Sequence, residues 1–339
     1  MAPLKTKTIA SVRSAFRRGA TVVPLIRELP ADTLTPVAAF LRLSRPSERS
    51  FLLESVEGGE QTARYSFLGV RPFETLTVEK GVARYDNGAE RGVLPGCPFM
   101  ALGERLKRYR ALPEHGLPPF CGGAVGHLGY EMVRYLEPST GLRAPRGPEA
   151  TLSLFGDVAA FDQVRHRLLL IANVLSPGRG SLTKAYRRAE DALAEMADRI
   201  ERPLRSRRSP AGRLRSHRKG DRRGSVGRLK ARMGSRAFLD GVRKLKRHIR
   251  AGDILQAVLS DRFDVPLRCG AFDVYRKLRM INPSPYMFYI GRDEDAVLGA
   301  SPEMLVRISD GLIETRPIAG AIAREGIVVG LDLQGAEIE

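Results

Sequence analysis

Short apolar runs separated by turn residues dominate positions 20 to 200 of the chain. Runs of this length are typical of β-strands when they are rich in β-branched, leucine and aromatic residues. The clearest predicted strands lie at 51–53, 65–68, 75–78 and 168–171. Apolar residues repeat with a helical period in two further segments, 35–43 and 184–200. The pattern therefore predicts an α+β region in which strands predominate.

A second pattern begins at Ser235, a residue type suited to capping the start of a helix. Four apolar residues follow at spacings of four, three and four, which places them on one helix face: Phe238, Val242, Leu245 and Ile249. Gly252 is suited to ending that helix. Beyond it we expect a strand over 254–263, a helix over 271–280, strands at 286–290 and 296–300, and a hairpin formed by 304–308 and 312–316.

The 339 residues carry a formal net charge of +18, which by itself is typical of a nucleic-acid-binding protein. The distribution of the charge argues against that function, because residues 201–250 hold 16 of the 18 net charges. Their densest part, 202–232, contains no aromatic residue that could stack on a base. We interpret 201–234 as a basic, disordered linker between two domains, and nucleic acid is disfavoured as a partner.

Composition narrows the class of protein further. The apolar fraction of 43% is too high for a wholly disordered chain. The sequence contains no stretch of about 18 uncharged apolar residues, so neither a transmembrane helix nor a membrane partner is expected. The first twenty residues lack the apolar centre of a secretory signal. Cys97, Cys121 and Cys269 are too far apart for a disulfide framework or a zinc site, which is typical of a cytoplasmic protein.

The common catalytic motifs are missing from the sequence, which has no phosphate-binding loop, no zinc-protease helix and no nucleophile elbow. Segment 122–130 is rich in glycine, which favours a strand in close contact with a neighbouring backbone over a phosphate cradle. His127 in this segment is interpreted as a packed or surface histidine rather than a general base. These patterns alone indicate an α+β protein of two parts and no particular activity.

Seven strings of residues carry the argument further: FLLES leading into EGGE (51–60), RYSFLG (64–69), GGAVGHLGYEMVRYLE (122–137), IRAGDILQAVLSDRF (249–263), NPSPYMFYI (282–290), GASPEMLV (299–306) and ETRPIAG (314–320). Together and in this order they resemble the anthranilate synthase component I family of chorismate-binding enzymes. Each string alone is a weak signal, whereas seven in order across both parts are specific. The resemblance implies an α+β fold in which two β-sheets pack face to face with helices outside.

The resemblance also implies a reaction in tryptophan biosynthesis, in which chorismate and ammonia yield anthranilate and pyruvate, a lyase activity. The family uses Mg²⁺, which suits a dianionic substrate because a cation can hold a carboxylate and polarise the leaving hydroxyl. Its ammonia comes from a glutamine amidotransferase subunit, component II, and tryptophan is its feedback inhibitor. These partners are carried over as expectations.

Two positions favour anthranilate synthase over its relatives in the family. Aminodeoxychorismate synthase has a nucleophilic lysine where this chain has Ala319, and isochorismate and salicylate synthases have a lysine base where this chain has Gln256. The resemblance places the chorismate site at Gly320 and Ala321, although the family has threonine at the position of Ala321.

The resemblance further implies a tryptophan feedback site built from two of the strings. The matching residues are Glu54, Ser55, Pro285, Tyr286 and Met287. A carboxylate and a hydroxyl suit the ammonium group of the ligand, while proline, tyrosine and methionine suit an indole ring. The alternative interpretation is that Ser55 ends a strand and that Met287 is a core residue.

The chain departs from the family after Gly320. We expect 20–200 to form the family's N-terminal domain and 235–321 the first part of the chorismate-binding catalytic domain, with 322–339 as an unmatched tail. On this view the catalytic domain is incomplete and C-terminally truncated, and the catalytic residues and Mg²⁺ ligands lie beyond the end of this chain. A shift of reading frame near 322 and within 202–232 is one hypothesis for the tail and the basic linker.

We accordingly expect the chain to be inactive alone. Two alternatives stay open beside anthranilate synthase. One is a non-catalytic fragment that keeps part of a tryptophan-sensing or partner-binding surface, and the other is aminodeoxychorismate synthase component I.

Overall fold

The computed structural model describes residues 7–55, 64–203 and 231–316, apart from the single residues 268, 293 and 310. Six α-helices lie in this part of the chain: α1 (Ile9–Arg17), α2 (Pro36–Leu43), α3 (Pro98–Leu106), α4 (Leu182–Glu201), α5 (Ser235–Ala251) and α6 (Ala271–Ile281). Short 3₁₀ segments occupy Tyr130–Tyr135 and Pro138–Thr140. Within the described residues no helix combines the length and the apolar character needed to cross a bilayer.

The strands build two antiparallel sheets and a separate hairpin. The larger sheet has the order β1-β10-β9-β3-β2-β11-β12, the smaller sheet β6-β5-β4-β8-β7, and β13 pairs with β14. Their bounds are β1 (Val22–Pro30), β2 (Ser50–Glu54), β3 (Tyr65–Val70), β4 (Glu74–Glu79), β5 (Val82–Asp86), β6 (Arg91–Leu94), β7 (Gly123–Leu128), β8 (Ala150–Phe155), β9 (Asp157–Asp162), β10 (Arg167–Leu175), β11 (Tyr286–Gly291), β12 (Val297–Ser301), β13 (Met304–Ser309) and β14 (Leu312–Arg316).

Strand β10 shows why the larger sheet is buried on both faces. Seven consecutive residues, 168–174, are buried, and successive side chains in a strand point to opposite faces. Leu168 and Leu170 pack in the core beneath α1, α2, α4 and α6, whereas Leu169 and Ile171 pack in a second core against the smaller sheet. A strand covered on both sides requires a continuous apolar run rather than alternation.

The second core lies between the two sheets. Phe51 of the larger sheet and Phe155 of the smaller one are fully buried, with ring centroids 4.8 Å apart in an edge-to-face arrangement. The outer face of the smaller sheet is covered by α3, with Leu76 and Leu102 in a third core. Helices therefore lie outside two sheets that pack face to face, which confirms the α+β fold that the resemblance implied.

The helices predicted from periodicity are present, with small changes at their ends. Thr35 caps α2 by accepting a hydrogen bond from the backbone N–H of Ala38. Helix α5 starts at Ser235, but its cap is Gly234, so the prediction of Ser235 as the N-cap residue was wrong by one position. Gly252 ends α5 in the left-handed conformation, as predicted.

The described residues fall into two compact units, one comprising 7–203 with 271–316 and the other 231–270. The predicted strand over 254–263 was wrong, because this segment has only a single bridge, between Ala231 and Phe263. Leu255 is 86% exposed and Val258 is 89% exposed. An alternating pattern gives a strand only where a neighbouring strand completes its backbone hydrogen bonds, and none of the described residues does so here.

Strands β11 and β12 belong to the first unit, where β11 pairs with β2 of the larger sheet. The domain boundary predicted from the sequence at 234/235 would assign β11 and β12 to a different domain from the other strands of the larger sheet. Most of the basic segment, 204–230, lies outside the described residues, as do the tail 322–339 and residues 317–321.

The glycine-rich segment forms β7 and then a 3₁₀ turn, which confirms a strand in close contact with its neighbour.

We expect Gly126→Ala to lower the free energy of unfolding by about 2 kcal/mol, because an added Cβ would lie 1.9 Å from the carbonyl oxygen of Thr151. Urea unfolding measures the change. Gly103→Ala in α3 is the control, since no atom lies within 4 Å of its added Cβ, and equal losses in both variants would contradict the prediction.

Candidate functional site

Two of the strings named in the sequence analysis meet at the pairing of β2 with β11. Glu54 is the register partner of Met287, and Phe51 is that of Ile290. Ser55 follows directly after β2, and Pro285 and Tyr286 lie at the start of β11. We call Glu54, Ser55, Pro285, Tyr286 and Met287 the β2–β11 seam. The structure thus places all five residues assigned from the sequence to the tryptophan site in one neighbourhood.

The carboxylate of Glu54 is the most constrained group of the seam. Its side chain is 2% exposed, and the hydroxyl of Tyr275 on α6 donates a hydrogen bond of 2.7 Å to its Oε2 atom. Nε of Arg279, also on α6, lies 3.0 Å from the same oxygen. Both contacts use Oε2, so Oε1 has no recorded partner within the described part of the chain. A buried carboxylate is tolerated here because a hydroxyl and a cation offset its desolvation.

Tyr275 links this carboxylate to an aromatic cluster above the larger sheet. It is fully buried, and its ring stacks on that of Phe272 with centroids 5.6 Å apart. Phe272 stacks in turn on Phe40 of α2 at 4.3 Å. Burial, followed by the charge of Glu54, raises the pKa of the Tyr275 hydroxyl well above its usual value, so this group acts as a hydrogen-bond donor at all physiological pH values.

The other members of the seam differ in accessibility. Met287 is buried in the core beneath α6, while Ser55, Pro285 and Tyr286 are half-buried. Met287 therefore has the environment of a core residue, and the half-buried residues provide the surface that a ligand would contact. Ser55 makes an interaction of its own within the protein.

Sequence reasoning missed Tyr275 and Arg279. Both lie on α6 at a spacing of four, which places them on the same helix face. The helix was predicted, but periodicity alone does not indicate which buried group on a distant strand that face meets. A tyrosine within the apolar stripe of a helix was the available signal, since a buried hydroxyl requires a partner.

The remaining residues assigned from the sequence lie elsewhere. Gly320, Ala321 and Ala319 lie outside the described residues. Gln256 is exposed in the irregular segment of the second unit. His127 is half-buried in β7 and lines a cleft between the two sheets.

A magnesium site requires several oxygen ligands converging on one point. Within 7–55, 64–203 and 231–316, the structure contains no group of three or more His, Cys, Asp or Glu side chains placed to hold a metal ion. The side chains of the described residues therefore do not fit Mg²⁺.

Comparison with known proteins identifies the family. Residues 48–328 match the family described as chorismate binding enzyme, which is more than half of the chain and includes the whole β2–β11 seam. The chain belongs to the chorismate-binding enzyme family. The match includes β2, β3, β9 and β10 as well as β11 and β12, and these six strands all belong to the larger sheet.

Relatives of this chain carry a consistent description. It is 36% identical over 313 residues to the probable anthranilate synthase component 1 of Schizosaccharomyces pombe, covering 91% of this chain and 59% of the relative. It is 39% identical over 305 residues to the anthranilate synthase component 1 of Thermus thermophilus, covering 89% and 60%. The chain thus spans about three fifths of the length of the curated relatives that it matches.

A solved structure has the same fold. Anthranilate synthase component I from Streptococcus pneumoniae superposes with a TM-score of 0.58 at 25% identity, covering 84% of this chain and 59% of that one. The family and the fold are therefore established by separate comparisons.

Proposed function

We propose that this chain contributes to an anthranilate synthase, the lyase that converts chorismate and ammonia to anthranilate and pyruvate in tryptophan biosynthesis. The observation that supports this most strongly is the run of relatives described as anthranilate synthase component 1, at 30–39% identity over about nine tenths of the chain. Ala319 supports anthranilate synthase over aminodeoxychorismate synthase, because an alanine has no amine with which to attack the substrate.

We also propose that these 339 residues alone are not sufficient for that reaction. The reaction uses Mg²⁺ to hold a dianion, and the described residues offer no ligand cluster for it. The chain also spans about three fifths of its relatives' length. A cytoplasmic glutamine amidotransferase subunit would supply ammonia, which the words "component 1" in the relatives' names support.

Growth of a tryptophan auxotroph that lacks its own component I tests the function. We expect no growth without tryptophan when this chain is expressed alone. We expect growth when it is expressed with the portion of the Thermus thermophilus relative that it leaves unmatched. The relative's own two portions, divided at the same point, are the matched control for the division.

Each other outcome contradicts part of the proposal. Growth with this chain alone would show that the 339 residues suffice. If the control pair restores growth and the mixed pair does not, the assignment to anthranilate synthase is wrong, and the non-catalytic fragment is favoured. Rescue of a p-aminobenzoate requirement instead would favour aminodeoxychorismate synthase.

We further propose that the β2–β11 seam binds tryptophan as a feedback inhibitor. Oε1 of Glu54 is available to the ammonium group of the ligand, because both recorded contacts of this carboxylate use Oε2. Pro285 and Tyr286 are half-buried beside it and offer apolar surface to an indole ring. Met287 supports this surface from the core.

A further inference from the structure

Helix α5 is the most strongly charged element of the second unit. It carries six cationic side chains, all of them exposed: Arg236, Arg243, Lys244, Lys246, Arg247 and Arg250. Its one carboxylate, Asp240, forms an ion pair of 2.8 Å with Arg243. The other five cations have no ion-pair partner within 7–55, 64–203 and 231–316. The helix therefore presents an excess of positive charge that the described residues leave uncompensated.

Four of these cations form a row along the helix. Their spacings of seven, four and three are those at which side chains recur on one side of an α-helix. We call them the arginine stripe: Arg236, Arg243, Arg247 and Arg250. The stripe extends over about 21 Å, at 1.5 Å per residue, with Lys244 and Lys246 on either side of it.

The opposite face of α5 is used within its own unit. Only Phe238, Gly241, Val242 and Leu245 of this helix are half-buried, and they lie on the side away from the stripe. A Cβ added at Gly241 would lie 2.8 Å from Cδ2 of Leu259, in the segment that follows the helix. A helix that binds a membrane inserts its apolar face into the lipid. Here that face contacts protein, which favours a partner that binds through charge alone.

A row of arginines fits a row of phosphates. The planar guanidinium group can donate two parallel hydrogen bonds to one phosphate. Duplex DNA carries about one negative charge per 1.7 Å of its axis, so a stripe of about 21 Å meets more phosphates than it has arginines. The sequence disfavoured nucleic acid because 202–232 has no aromatic residue to stack on a base, but phosphate contacts need only cations and polar donors.

Groove dimensions distinguish DNA from double-stranded RNA. An α-helix with its side chains is about 10–12 Å across, and the major groove of DNA is about 12 Å wide. The major groove of an RNA duplex is too narrow for side chains to enter. Arginines along one exposed helix face therefore reach the phosphates at the edges of a DNA groove more readily.

We propose that the arginine stripe binds the phosphate backbone of double-stranded DNA, without preference for a base sequence. The stripe lies on a helix whose other face is packed, so the arginines face solvent together. This interaction surface is separate from the β2–β11 seam. The proposal does not depend on the proposed catalytic function.

Fluorescence anisotropy of a labelled DNA duplex, titrated with the full chain at several salt concentrations, tests the proposal. The stripe variant replaces the four arginines with glutamine, which is also a good helix former. Because each lost phosphate contact lowers the salt dependence by about 0.9, we expect the slope of log K against log salt to fall by about 3–4. We expect affinity at about 100 mM salt to fall at least about a hundredfold. Every variant keeps 202–232, so the difference comes from the stripe.

The matched control replaces four exposed arginines of the first unit with glutamine and removes the same charge: Arg13, Arg17, Arg18 and Arg27. It should keep the wild-type slope. Replacing the stripe with four lysines should also keep most of the slope, since the charges remain. Equal losses in the stripe variant and the control would show an effect of net charge alone and would overturn the proposal, as would a wild-type chain that does not bind the duplex.

Three further outcomes would overturn the assignment to DNA. One is tighter binding of an RNA duplex of the same length. Another is binding of vesicles containing phosphatidylserine that the stripe variant loses while its DNA binding is unchanged, which would indicate a membrane surface. The third is competition by polyglutamate as effective as that by unlabelled DNA, which would indicate an acidic protein.

Discussion

Glu54→Gln is expected to weaken tryptophan binding at least about a hundredfold while preserving the fold. Glutamine keeps the length of the side chain and an oxygen that can accept the hydrogen bond from Tyr275. It removes the negative charge that would pair with the ligand's ammonium group in a buried setting, where such a pair is strong. Calorimetric titration of the full chain with tryptophan measures the loss.

The matched control for this variant is Glu28→Gln, which removes a carboxylate paired with Arg167 on another strand of the same sheet. It should leave tryptophan affinity unchanged. If Glu54→Gln binds tryptophan as tightly as Glu28→Gln does, the seam is not the tryptophan site. If the wild-type chain binds no tryptophan at all, the proposed feedback function of this chain is wrong.

Two further variants, Glu54→Ala and Tyr275→Phe, distinguish the contribution of these side chains to stability from their contribution to tryptophan binding. Glu54→Ala leaves the hydroxyl of Tyr275 buried without its acceptor and takes the counter-ion from Arg279, so we expect a loss of about 2–4 kcal/mol in the free energy of unfolding. Tyr275→Phe should lose less, about 1–2 kcal/mol, because it removes one neutral donor and keeps the ring in its stack. Tyr275→Phe should therefore retain most of the tryptophan affinity that Glu54→Ala loses.

How much of this arrangement could be predicted from the sequence depends on the range of the interaction involved. The continuous apolar run at 168–171 indicated a strand, because a strand covered on both faces has no polar side. The C-terminal end of α5 followed from local capping by Gly252. These features depend on residues within a few positions of one another, so one sequence is enough to reveal them.

Long-range partners could not be predicted in the same way. The two strings of the seam were assigned to one site through the family resemblance, and their pairing as neighbouring strands depends on the whole topology. Tyr275 reaches Glu54 across 221 positions of sequence. The strand predicted over 254–263 failed for the same reason, since its alternation was correct and a pairing strand was absent from the described residues.

The ion pair beneath the smaller sheet gives the largest expected effect on stability. Glu74, at the start of β4, is 1% exposed, and Arg105 of α3 is 9% exposed. Nε of Arg105 donates to one carboxylate oxygen at 2.7 Å and an NH₂ group donates to the other at 2.9 Å. The hydroxyl of Tyr109 donates to the carboxylate as well, at 2.6 Å. Every oxygen of this buried carboxylate therefore has a partner.

Glu74→Ala is expected to lower the free energy of unfolding by about 3–5 kcal/mol, measured by urea denaturation. The variant leaves a buried guanidinium without a counter-ion and a tyrosine hydroxyl without an acceptor, and both groups pay their desolvation cost uncompensated. Removing the charge on both sides, as in Glu74→Leu/Arg105→Met, should recover most of the loss, because two apolar side chains of similar volume need no ionic partner.

The control for this pair is Asp86→Ala, which breaks an ion pair in the same sheet between Asp86 and Arg91, whose side chains are 41% and 84% exposed. Water screens that pair, so we expect a loss below about 1 kcal/mol. If Glu74→Ala lowers the free energy of unfolding no more than Asp86→Ala does, burial of the pair does not determine the loss. If the double variant is less stable than Glu74→Ala, the loss comes from the shape of the side chains and not from an unpaired charge.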